Sequence, residues 1–369
     1  MRAHARERAL GIIQLVCACL AWGLAGPAFK RVDVNFMIRL VWRGQCSMAF
    51  IAIPFALVLI FVKSTRAPWS KSTWTGIAAV GVSMYLMFVG WNYGVSETAF
   101  SHASLLSQTH PAWLLVIATV RAWWSRRRTT KAVQRRPFPS WPEWVCVGVA
   151  AVGVVVTSTA PSTADLKSPP TVHGDLMSLG SGLASAFYVL SMTGWFGTNG
   201  SGIPNAPGIF VQATGTTLMT VLGMLTLACV PGTVWRSKRS PYDDGIFDWV
   251  SSYYLWPYII GMGSLAIIGH VFMTEAFKHL PLIVVAVSLT LTPVLQTTFC
   301  YVLIGDDAPG LQTIIGGVII ISGIGLTMVF EERRRRREKA ENALSDEAIV
   351  DEDGKGVVGE AKPGKDAAA

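Results

Sequence analysis

Eight side chains in this sequence could bind or carry a small polar molecule: Trp22, Arg43, Tyr93, Gln108, His110, Tyr188, Glu275 and Gln296. All lie in strongly apolar stretches, where a polar group is costly and is read as functional by default. Glu275 is the one carboxylate set well inside such a stretch, which makes it the candidate proton carrier. Lys278, three residues on, offers the alternative of an ion pair near a helix end. Arg43 could hold an anionic group of a solute, or snorkel to the membrane interface beside Lys30 and Arg39. Gln108 and His110 stand just before Pro111, and Gln296 follows Pro293. A proline within a helix removes a backbone hydrogen bond and bends it. In hydrocarbon that defect is tolerated only beside a cavity or polar neighbours. Pro111 and Pro293 are therefore the expected helix bends. Gln108, His110 and Gln296 are the expected polar lining or interhelical bonds, with Trp22, Tyr93 and Tyr188 as aromatic walls.

Other chemistry leaves no trace. There is no phosphate-binding glycine loop, no dinucleotide fingerprint, no HExxH and no Gly-x-Ser-x-Gly. His270 and Glu275 are five apart, so they fall off a common helix face and make a poor acid–base pair. The six cysteines all fall inside apolar stretches with no CxxC or metal spacing, so neither a disulfide nor a metal site is expected. No cofactor is implied.

The elements that must position these residues are long helices. The 369 residues are 51% hydrophobic and only 15% charged, against about a quarter charged in a soluble domain. Apolar runs of about 20 residues match the roughly 30 Å hydrocarbon core. Ten spans are expected, near 9–29, 38–62, 73–95, 99–120, 143–160, 174–193, 207–230, 255–277, 281–304 and 309–330. Of the 31 Lys and Arg, 23 fall on one side if both termini are cytoplasmic, the distribution that membrane topology demands. The net charge of +8 therefore calls for no nucleic acid.

Two of these regions are copies. Setting Pro111 on Pro293 with no gap puts Gln108 and His110 on Thr290 and Thr292, and the break at Glu97 on the break at His279. Gly11 to Lys30 likewise lies over Gly174 to Thr193. The reading is two five-helix halves, 9–160 and 174–330, the first carrying a basic cytoplasmic loop at 121–142. Five is odd, so the second half enters from the opposite side. Such inverted repeats, with a solute site near the midplane, are the architecture of secondary transporters.

At these residues the chain resembles the EamA family of the drug/metabolite transporter superfamily. The resemblance runs from residue 9 to 330 and is best over Gly263 to Gly323. There Ala276-Phe277, a short basic break, the Pro293 helix, an acidic turn and a glycine-bearing helix follow in order. Trp22-Gly23 with Lys30 looks like the family's first helix, and Arg43 like an arginine early in its second. Where the family has Gly-Glu after the proline helix, this chain has Gly305-Asp306-Asp307. The resemblance implies alternating-access transport of a small organic solute, an amino acid or other metabolite. Without an ATPase motif, a proton gradient or exchange would drive it. The setting is a multi-pass protein of the plasma membrane, with a homodimer an open possibility. A polytopic membrane enzyme and a non-transporting sensor or scaffold are the alternatives. The basic run Arg121 to Arg136 is a topology determinant, with contact to anionic lipid as the second reading. The acidic loop 231–254 reads as solvated. The tail 331–369 has few large apolar residues and is expected to be disordered and cytoplasmic.

Overall fold

The computed structural model of this chain describes residues 2–32, 34–66, 68–98, 100–128, 140–158, 171–198, 200–229, 245–250, 253–305, 311–312, 314–330 and 333. The tail beyond, most of the acidic loop, the second half of the basic run and the Asp306-Asp307 turn lie outside those residues. Two compact units divide the chain, Met1–Thr327 and Met328–Ala369. In the second, the described residues 328–330 and 333 are helical.

The first unit is built from α1 (Arg2–Arg31), α2 (Phe36–Phe61), the single turn α3 (Lys63–Arg66), α4 (Lys71–Glu97), α5 (Phe100–Ser107), α6 (His110–Arg128), α7 (Trp141–Ser158), α8 (Val172–Phe196), α9 (Gly208–Ala228), α10 (Trp256–Ala276), α11 (Leu282–Leu289) and α12 (Thr292–Ile304). A last apolar helix, α13, spans Ile314–Phe330. No strand occurs among the described residues. Seven helical segments are long and apolar enough to cross a membrane, α11 and α12 counting as one.

Local chemistry sets the starts. Asn35 accepts from the Met37 amide at 3.0 Å, Ser70 from Thr73 at 3.1 Å and Thr171 from Gly174 at 3.1 Å. Each is a side-chain oxygen satisfying an orphan first-turn amide. At the far end of α12, Gly305 caps the helix with φ +66°, a left-handed conformation that glycine adopts without a Cβ clash. The basic run does not begin as a loop at Arg121: α6 continues to Arg128. Arginine is a good helix former and its charge suits a helix C-terminus. There Arg127 lies 3.8 Å over the Trp123 ring.

Polarity is arranged inside-out relative to a soluble protein. Large apolar side chains such as Ile13, Ile53, Phe61 and Val302 face outward, while Arg43, Asn92, His110, Gln212 and His270 are buried. With lipid as solvent this is the favourable arrangement, and the backbone must be satisfied within helices. Together with the apolar lengths, it makes the chain an integral multi-pass membrane protein.

Residues 9–160 and 174–330, the halves expected from the sequence, do not pack as separate bodies. α4 packs most extensively on α8, and α1 on α10 and α12. Exchanging the halves turns one of these contacts into the other, and α2 meets its counterpart α9. Small residues permit the approach. A Cβ at Gly90 would lie 2.7 Å from the Met177 carbonyl, and one at Gly94 would strike Ser178. Ser181 donates to the Met87 carbonyl at 2.7 Å. The Gly90/Gly94 spacing thus serves close packing.

Candidate functional site

The matched prolines sit in matched geometry. α5 ends at Ser107 and α6 begins at His110; α11 ends at Leu289 and α12 begins at Thr292. Pro111 and Pro293 each occupy the second position of the new helix. Neither is therefore the mid-helix proline of a bent rod. At a helix start the missing amide costs nothing, because that donor is unpaired anyway. The chain crosses each junction in tight turns: Thr109 N donates to Leu106 O at 3.3 Å, and Thr290 N to Val287 O at 3.2 Å.

Both junctions border one central cavity. Trp22, Arg43, Gln108, His110, Tyr188 and Gln296 all line it, so six of the eight side chains singled out above converge. The space open to the centres of water molecules is about 120 Å³, roughly ten times what a single water needs. Tyr93 is not among the lining residues. Trp91 lines the cavity instead, and two residues on, at about 100° per residue, a helix has turned to its far side. Tyr93 stacks edge-on with Phe36 at 5.1 Å and His173 at 5.3 Å.

Glu275 is likewise outside the lining. Its Oε1 accepts from the Gly208 amide at 2.5 Å and its Oε2 lies 2.8 Å from Lys278 Nζ. The carboxylate ties the end of α10 to the start of α9. In the register of the prolines Glu275 corresponds to Tyr93, and Tyr93 likewise touches the start of α2 at Phe36.

Arg43 is buried, 4% exposed. Its guanidinium lies 3.7 Å from the centroid of Phe88 and 5.2 Å from that of Phe29. Arginine stacks on ring faces in this way, leaving the in-plane N–H edge for an anion. Among the described residues no carboxylate pairs with it. The cavity lining contains no Asp or Glu.

A second buried network stands beside Arg43. Tyr188 Oη donates to Gln212 Oε1 at 2.9 Å and lies 3.2 Å from His270 Nδ1. Gln212 Nε2 donates to Thr274 Oγ1 at 2.7 Å. His270 meets the Trp22 ring edge-on at 4.7 Å and Phe88 at 5.6 Å. Trp22 is seated on Gly269, where a Cβ would lie 2.5 Å from its indole. Its Nε1 donates to Ala266 O at 3.2 Å, and Gln296 Nε2 donates to Trp22 O at 3.3 Å.

The junction wall differs in kind. Ser104 Oγ, Gln108 Oε1, His110 Nε2 and Thr292 Oγ1 are buried without a hydrogen-bond partner, and all four residues line the cavity. Unmet buried polar groups are rare in folded proteins. Four of them around one space mark a surface built to meet a polar guest or water.

Phe88, Gln212, Ser104 and Ser107 are site residues absent from the sequence reading, where His270 was weighed only as an acid–base partner of Glu275. His270 and Gln212 carried the same signal as His110, a polar group in an apolar span. Phe88 carried none, since aromatics are common in such helices. No group of three or more His, Cys, Asp or Glu that could hold a metal occurs among the described residues.

Residues 9–123 match the model of the EamA-like transporter family. Over that segment the chain is similar to EamA-like transporters. The match falls on the first half, although the best resemblance by motif lies in the second. A solved crystal structure 15% identical in sequence aligns over 89% of this chain and 98% of its own, with a TM-score of 0.61. At that identity the likeness is one of fold. No curated protein matches the sequence.

Proposed function

We propose that this protein is a secondary transporter carrying a small organic solute across the cell membrane by alternating access. The observation that carries the reading is the central cavity, whose unmet polar lining comes from both helix junctions, one in each half. Ten helical crossings follow when α5–α6, α7 and α13 are added to the seven long spans. The two five-helix halves are inserted in opposite senses, with both termini in the cytoplasm. Support comes from the identical junction spacing, from packing contacts that interchange with the halves and from the charge distribution of the loops. Similar, oppositely inserted halves can trade conformations and so open one cavity to each side in turn.

Proton coupling is assigned to Glu275. Protonation there removes one charge of the pair with Lys278 and weakens the tie to α9. A proton on Glu275 acts on the contact between helices rather than on the solute.

Counterflow in proteoliposomes tests the reading. Vesicles preloaded with unlabelled leucine or 2-hydroxy-4-methylvalerate should transiently accumulate the labelled compound, and deleting residues 338–369 should leave this unchanged. A folded protein that accumulates neither would contradict solute transport. Loss of accumulation on tail deletion would favour a role for the tail.

A further inference from the structure

We infer that the cavity selects a small organic monoanion that also carries a neutral hydrogen-bond donor, of the 2-hydroxycarboxylate kind. The anion sits on Arg43 and the hydroxyl on the acceptors beside Pro111. This deepens the transporter reading and rests on it.

Three observations meet here. The first is charge. Arg43 is a buried guanidinium, 4% exposed, lying over the rings of Phe88 and Phe29 and without a carboxylate partner among the described residues. An isolated buried charge is strongly disfavoured unless matched. A carboxylate meets the guanidinium edge in the bidentate geometry that the flanking rings leave free.

The second is the count of charges. Arg43 is the one Lys or Arg in the lining, and no Asp or Glu is present there. A monoanion brings the site to neutrality. An amino acid would bring the same carboxylate plus an ammonium, which would be left on neutral groups in a low-dielectric cavity. Glu275 does not serve, because it is paired with Lys278 outside the lining.

The third is the polarity of the opposite wall. Gln108 Oε1 accepts hydrogen bonds only. His110 Nε2, unmet in the cavity wall, accepts from a guest in the tautomer that carries its proton on the other ring nitrogen. Both are buried and unpartnered, and both call for a donor on the guest. The Ser104 and Thr292 hydroxyls, also unmet, can follow by rotation. Trp22 and Trp91 remain for an aliphatic body.

Three compounds with one carbon skeleton, and the amine that lacks the carboxyl carbon, separate the terms: 2-hydroxy-4-methylvalerate, 4-methylvalerate, leucine and isopentylamine. Thermal-shift titration of the purified full chain should rank the hydroxy acid above the plain acid and above leucine, with no shift from the amine. Arg43→Gln should weaken hydroxy-acid binding on the order of 10- to 100-fold, the range of a charge-assisted hydrogen bond. Gln108→Glu places a carboxylate on the acceptor wall and should invert the ranking, with leucine overtaking the hydroxy acid. That inversion keeps the test decisive if Arg43→Gln fails to fold. Leucine equal to or above the hydroxy acid in the native protein, or a ranking unmoved by Gln108→Glu, overturns the ligand class. Counterflow intact alongside either result overturns the ligand class alone; counterflow absent for both solutes overturns the transport reading as well.

Discussion

The junction before Pro111 and the junction before Pro293 share spacing, tight turns and a proline at the second helical position, yet they carry different side chains. The first presents Gln108 and His110; the second presents Thr292 and, a turn later, Gln296. The backbone device is common to both halves, whereas the hydrogen-bonding groups are individual to each. The same holds where a later helix of each half meets an earlier one. Tyr93 touches the start of α2 through rings, while Glu275 ties down the start of α9 through charge. Shared geometry supplies the motion in this account, and the unshared side chains supply recognition and coupling.

Five substitutions break or sharpen that contrast, from the largest expected effect down. Gly269→Ala should cost about 1–3 kcal/mol as an overpacked contact, and it should also weaken solute binding, because the displaced group is Trp22 in the cavity wall. Gly94→Ala, against Ser178 and away from the cavity-lining residues, should destabilise comparably and leave solute affinity nearly unchanged. Thermal unfolding alongside solute titration separates the two.

Thr292→Val replaces a buried, unmet hydroxyl by a methyl group of similar shape. Removing such a group should raise stability by about 1 kcal/mol while slowing counterflow. A variant both less stable and fully active would remove Thr292 from the solute surface.

Glu275→Gln should flatten the dependence of uptake on external pH while exchange persists. Its effect on stability should stay below about 1 kcal/mol, as for other partly exposed pairs. An unaltered pH profile in proteoliposomes would take the proton away from Glu275. The smallest effect is expected of Tyr93→Phe, which keeps both ring contacts, with binding and pH profile measured as in the native chain.

Much of this plan was legible in the sequence, for definite reasons. A proline in an apolar span is conspicuous, and two that superpose without a gap point to both helix junctions at once. Arg43, Gln108 and His110 stood out because ionisable and amide groups are expensive in lipid. The angular position of a residue was harder to read. Tyr93 was the expected aromatic wall, but Trp91 two positions earlier faces the cavity, and helical phase relative to neighbours is fixed by packing. The proline role shifted for a related reason: tight turns before each proline turn an expected bend into a fresh helix start. The stacking of Arg43 on Phe88 joins α2 to α4, a contact that no local pattern encodes.

The central claim is that both junctions face one cavity that opens to each side in turn. Ser185 lines that cavity from α8. With the native cysteines replaced, Ser185→Cys can be probed by a membrane-impermeant maleimide in right-side-out and in inside-out vesicles. The account predicts labelling from both sides, slowed in each by 2-hydroxy-4-methylvalerate. Labelling from one side only, in a folded protein that still catalyses counterflow, would contradict it.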